Sequence, residues 1–85
     1  MKKLLFFHAS WCPPCKYAEK HIIHPLLDVY GKDKVIYINV ENTSLLMDIY
    51  QVKKVPTVIV VHGEEEVYRQ VGTQDYSTLR NLLHD

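Results

Sequence analysis

Cys12 and Cys15 are the two cysteines of this 85-residue chain, and Pro13 and Pro14 alone stand between them. Thiols this close can join in a disulfide and reopen it. One thiolate attacks a disulfide in line, and the second resolves the mixed disulfide that results. A single pair cannot staple a secreted domain, so the spacing points to redox chemistry rather than to a disulfide framework. Trp11, the only tryptophan, precedes the pair and Lys16 follows it. His21 and His24 raise the question of a metal, which as structural zinc would need four converging ligands. On an ideal helix they lie about 240° and 180° around from Cys15. They point away from the thiols, so the expected metal site is none, and the two histidines read as a solvated helix face.

The elements around the pair follow from hydrophobic pattern. Residues 4–7 are an unbroken apolar run, the mark of a strand covered on both faces. His8-Ala9-Ser10-Trp11 then leaves the C-terminal end of that strand, where open α/β sheets place their sites. A helix begins near Cys12 to Pro14, since proline is tolerated in a first turn. Cys15, Ala18, Ile22, Leu26 and Val29 recur along one helical face, and Pro25 is expected to kink or split the helix near His24. Gly31 is the stop.

Residues 35–40, rich in β-branched and aromatic side chains, make a second strand, parallel to the first because a helix joins them. Asn42 or Thr43 caps a short helix containing Leu45, Leu46, Ile49 and Tyr50. Residues 57–61 form a third buried strand after Val55-Pro56. His62-Gly63-Glu64-Glu65 is a turn, and residues 66–71 return antiparallel, with Val67 and Val71 on one face and Tyr68 and Gln70 on the other. Gly72 ends that strand. Asp75 caps a last helix with Tyr76, Leu79, Leu82 and Leu83 as its apolar stripe. The fold class is α/β, in the order β-α-β-α-β-β-α: a four-stranded mixed sheet flanked by three helices, in a single domain over residues 1–85.

Composition narrows the function further. Ten basic residues balance ten acidic ones, for a formal net charge of zero. No nucleic-acid or membrane-surface partner is expected from that balance. The apolar run after Met1-Lys2-Lys3 is too short for a signal peptide and no span follows, so the expectation is a cytoplasmic protein.

The motifs together resemble the thioredoxin family. Ala9-Ser10-Trp11-Cys12-Pro13-Pro14-Cys15-Lys16 is similar to its Trp-Cys-x-Pro-Cys-Lys active site. Val55-Pro56-Thr57 resembles its cis-proline loop, and Val71-Gly72 resembles its glycine after the last strand. The resemblance spans nearly the whole chain and implies a minimal thioredoxin fold. It implies a protein-disulfide reductase whose only redox group is the Cys12–Cys15 disulfide, with no bound cofactor. Four departures stand out. The chain begins at what is the central strand of longer thioredoxins. Phe6 occupies the position of a buried Asp, Tyr37 that of its Lys partner, and Pro13 that of the Gly between the cysteines.

The expected roles follow. Cys12, at the helix start, is the exposed nucleophile, because unpaired N–H groups and the dipole stabilise a thiolate there. Cys15, on the inward face, is the resolving thiol. Pro13 and Pro14 stiffen the loop. Trp11 shields the cysteines and offers an apolar contact to a substrate, and Lys16 adds positive potential. The resemblance makes Val55–Pro56 a cis bond lying against the disulfide, with Val55, Pro56 and Gly72 binding an extended client chain by strand addition. His8 is a candidate proton shuttle, since a histidine titrates near neutral pH. The expected partners are thioredoxin reductase as electron donor and disulfide-containing clients, met by a monomer. Two alternatives remain. One is a glutaredoxin-like reductase fed by glutathione, for which Gly72-Thr73-Gln74-Asp75 gives a partial match. The other is a redox-inactive binding module on the same fold, which two intact cysteines argue against.

Overall fold

The computed structural model describes residues 1–84. The chain runs β1 (Lys2–His8), α1 (Pro13–Ala18), a π-helical turn (Glu19–Ile23), α2 (His24–Tyr30), β2 (Val35–Asn39), α3 (Ser44–Tyr50), β3 (Thr57–His62), β4 (Glu65–Val71) and α4 (Tyr76–Leu83). The strands form one mixed sheet in the order β2-β1-β3-β4. β1 and β2 are parallel, and β3 is antiparallel to both β1 and β4. The element order is the one the sequence leads to, with the first expected helix divided in two by the π turn.

β1 is apolar throughout because both faces are covered. Side chains alternate across a strand. Leu4 and Phe6 therefore join α1, α2 and α4 through Cys15, Ala18, Ile23, Leu26, Leu79 and Leu83. Leu5 and Phe7 face the other side, where Ile38, Ile59 and Val52 pack with Leu46, Met47 and Tyr50 of α3. One central strand thus anchors two cores, and its C-terminal end is held from both sides.

Pro25 splits the first helix as expected, by a specific device. The His24 N–H donates to Glu19 O, five residues back. Proline cannot donate a hydrogen bond, and its ring crowds the preceding turn. The wider π turn absorbs both conflicts and leaves Pro25 in the first turn of α2. The extra residue also rotates the buried face. Cys15, Ala18, Ile22 and Leu26 are buried as the spacing requires, but Val29 is 64% exposed. Leu27 and Tyr30 pack against the core instead. Gly31 ends α2 with φ +85°, its N–H donating to Leu27 O at 2.8 Å.

Two further expectations are adjusted. Thr43 stands at the N-cap of α3, yet its side chain makes no capping bond. The hydroxyl donates to Asn39 O at 2.8 Å instead. β4 begins at Glu65, so only Gly63 and Glu64 separate it from β3. Its register passes from Tyr68 opposite Val60 to Glu66 opposite Val61. Val67 is therefore the extra residue of a β-bulge.

Candidate active site

The site forms where β1 ends. Ala9 is buried, Ser10 and Trp11 turn outward, and Cys12 takes the N-cap of α1 with extended backbone angles. Pro13 and Pro14 fill the first helical positions, where the missing N–H groups have no intrahelical acceptor to lose. The Cys12 carbonyl accepts from Cys15 N at 3.1 Å and from Lys16 N at 3.2 Å. Its sulfur accepts from Cys15 N at 3.2 Å. Cys12 and Cys15 are joined in a disulfide, with Cα atoms 5.2 Å apart.

Cys12 is not the exposed member of the pair in this state. It is 4% accessible and Cys15 2%. Its sulfur is bonded to Cys15, while Trp11, Pro13 and Pro14 around it face outward. What separates the two cysteines is the helix-start N–H donated to the Cys12 sulfur. Trp11 is 68% exposed, so it presents an apolar surface beside the disulfide rather than a buried cover. Lys16 is exposed on the helix.

The Val55–Pro56 peptide bond is cis. Val55 O lies 3.7 Å from the Cys12 sulfur. Pro56 O accepts from the Gly72 N–H at 2.9 Å, which ties the turn after β4 to the proline loop. Gly72 has φ +87°, a conformation that side chains strain to reach. A cleft of about 400 Å³ opens between these loops and α1, lined by Pro14, Tyr17, Ile22, Pro56, Gly72 and Gln74 among others.

Phe6, which shares a core with Cys12 and Cys15, forms an aromatic cluster with His8 and Tyr37. The His8 ring stacks on Phe6 with centroids 5.2 Å apart, and Tyr37 meets both rings edge-on at 5.6 Å. Phe6 is fully buried. The Tyr37 phenol is pushed up to about 12 by burial, then by the charges of Glu19 and Asp28. It stays protonated at neutral pH and cannot serve there as a base.

Two residues at the site carry no signal of their own in the motif. Glu41 accepts from the Ser10 N–H at 2.7 Å and from the Ser10 hydroxyl at 3.0 Å. Those two bonds, the backbone one first, hold its carboxyl below the usual range, and the charge of His8 adds to the shift. The available clue was topological. An acid just past β2 must lie beside the loop leaving β1, because those strands are parallel. Gln74 is the other residue, buried at 6% exposure beside Pro56 and Gly72. His21 and His24 are exposed, and His21 lies against the Tyr17 ring with centroids 4.4 Å apart. Among the described residues, no three of His, Cys, Asp and Glu cluster to hold a metal ion.

A family model described as Thioredoxin matches residues 1–85. Thioredoxin of Haemophilus influenzae is 31% identical over 86 residues, covering 95% of this chain and 76% of the relative. Thioredoxin of Staphylococcus epidermidis is 34% identical over 86 residues, covering 95% and 78%. Among solved structures, a mutant thioredoxin from Halobacterium salinarum superposes with a TM-score of 0.77 at 30% identity, covering 96% of this chain and 71% of that one.

Proposed function

The chain belongs to the thioredoxin family and is a thiol–disulfide oxidoreductase, and from this we propose that it reduces protein disulfides, with Cys12 attacking and Cys15 resolving. The observation that carries the assignment of roles is the Cys15 N–H donated to the Cys12 sulfur at the start of α1. A donor and a helix N-terminus at that atom stabilise a thiolate there and lower the thiol's proton affinity.

In the reduced protein the Cys12 thiolate attacks one sulfur of the client disulfide. An S–S bond forms between Cys12 and the client, and the client's other sulfur leaves as a thiolate. Cys15 then loses its proton and attacks the Cys12 sulfur. That step forms the Cys12–Cys15 disulfide and releases the second client sulfur. Two electrons pass to the client, whose thiolates take up two protons. The family's usual donor, thioredoxin reductase, returns the electrons. Cys15 is buried and needs a base close at hand. Phe6 cannot act as one, and Tyr37 remains protonated. His8 is the remaining polar ring of that cluster, and we assign it the proton. Val55 offers its backbone to an extended client segment, with Pro56, Gly72 and Trp11 as apolar walls.

Glutathione is the less favoured donor. Asp75, the residue that would hold it in a glutaredoxin-like site, accepts from both the Thr78 N–H and the Thr78 hydroxyl. Insulin reduction with thioredoxin reductase and NADPH, run beside the same assay with glutathione, tests the reading. Turnover with the reductase and little with glutathione is expected. The reverse order would replace this reading by the glutaredoxin-like one.

A further inference from the structure

Among the described residues two buried side chains are polar, Thr57 and Gln74. Thr57 is satisfied, its hydroxyl donating to Lys54 O at 2.6 Å. Gln74 is satisfied at one end only. Its Nε2 donates to Gln70 O at 3.0 Å and to Gly72 O at 2.8 Å, while Oε1 has no partner and is sealed from solvent. The two carbonyls fix the amide's orientation, because only its NH2 end can face two acceptors. A leucine or methionine there would carry no unpaired side-chain acceptor but would leave Gln70 O and Gly72 O without this donor, and a half-satisfied buried amide is a cost that folds seldom carry without reason. The compensating gain lies in what the NH2 group holds.

It holds both sides of the turn after β4. Gln70 O and Gly72 O flank Val71–Gly72, where the glycine adopts φ +87° and has no side chain to restrain it. From Gly72 the connection continues, since its N–H donates to Pro56 O at 2.9 Å, and Val55 O lies 3.7 Å from the Cys12 sulfur. The geometry points to Gln74 as a positioning residue for client binding. It braces the Gly72 turn against the cis-proline loop and keeps the cleft beside the disulfide open in the shape a client chain enters. It touches neither sulfur, so it acts on recognition and not on the exchange step. The inference rests on the client site proposed above.

Gln74→Met keeps the side-chain length and removes both donors. Initial rates of insulin reduction should show KM raised about five- to tenfold at unchanged kcat, a loss of client binding on the scale of about one neutral hydrogen bond as the turn loosens. Reduction of the small disulfide dithiobisnitrobenzoate, which needs no cleft, should keep its wild-type rate. The melting temperature should fall by no more than a few degrees, since removing the unpaired acceptor offsets part of the two hydrogen bonds lost. Hydrogen exchange at the Gly72 amide should speed up, reporting the loosened turn directly. Unchanged insulin kinetics would overturn the proposal. So would a parallel loss with both disulfides and a larger fall in melting temperature, which marks general support of the fold. Wild-type protein that reduces neither disulfide would instead overturn the reductase reading.

Discussion

Cys12 and Cys15 differ by a hydrogen bond more than by exposure, and that difference predicts opposite behaviour on substitution. Cys15→Ser leaves the Cys12 thiolate able to attack but nothing to resolve the product. Mixing this variant with an oxidised client should accumulate a covalent adduct, visible as a mass shift that dithiothreitol reverses. Cys12→Ser should form no such adduct. An adduct with Cys12→Ser and none with Cys15→Ser would exchange the two roles. His8→Ala tests the proton path. Positioned acid–base groups contribute about 10²–10⁴-fold to rate. A fall of about tenfold or more in turnover is expected. Unchanged turnover and an unchanged Cys12 titration would remove His8 from the mechanism. At this scale the sequence was informative about the residues inside the motif and silent about those behind it. Glu41 and Gln74 act through contacts made by folding, thirty-one residues from Ser10 in one case and across a turn in the other. The first is too distant for any spacing to encode, and the second depends on how the turn at Gly72 folds back on Gln74.

The elements show where pattern and geometry part. The strands, the directions of the first pair and the last pair, and the last helix were legible from apolar runs, connection lengths and Asp75, whereas the antiparallel pairing of β1 with β3 emerges only in the fold. The π turn was half legible. Pro25 announced an interruption, but a 3.6-residue period cannot foretell that the helix widens by one residue and turns Val29 outward. Likewise, Thr43 lies where a cap should be, yet a nearer acceptor, Asn39 O, claims its hydroxyl. Asp75 does cap α4, accepting from Thr78 N at 3.0 Å and from the Thr78 hydroxyl at 2.8 Å. These bonds lower its carboxyl below the ordinary 3.8. A folded-state value below the unfolded one gives stability that is present above the unfolded value. That stability is lost as pH falls through the folded one. Asp75→Ala should therefore lower the melting temperature at pH 7, with the gap to wild type closing as the solution is acidified below about pH 4. A gap that persists undiminished at pH 2 would show that the cap acts through something other than its charge.

Across the whole molecule, the departure of greatest consequence is Phe6. It sits at the centre of β1, fully buried, and belongs both to the core that α1, α2 and α4 cover and to the aromatic cluster with His8 and Tyr37. A chain of this size buries a modest core, and small domains are held by a margin of about 5–15 kcal/mol. Phe6→Asp restores the acid that thioredoxins usually carry there, and with it a base beneath Cys15. In this chain the acid would find Tyr37 in place of a lysine. Losing the ring costs about 3–5 kcal/mol, and a buried carboxylate without a cation adds to that. Burial raises the folded-state value of such a carboxyl above its unfolded value. The added penalty is therefore present at neutral pH and relieved as pH falls towards the unfolded value. Urea denaturation should place Phe6→Asp near or past the edge of stability at pH 7 and measurably firmer at pH 5. Adding Tyr37→Lys should recover part of the loss at pH 7, because the ammonium lowers the buried acid again. A single variant as stable as wild type at both pH values would mean that β1 tolerates a charge at its centre. The aromatic cluster would then be no substitute for the polar pair, and the assignment of the proton to His8 would lose its structural ground.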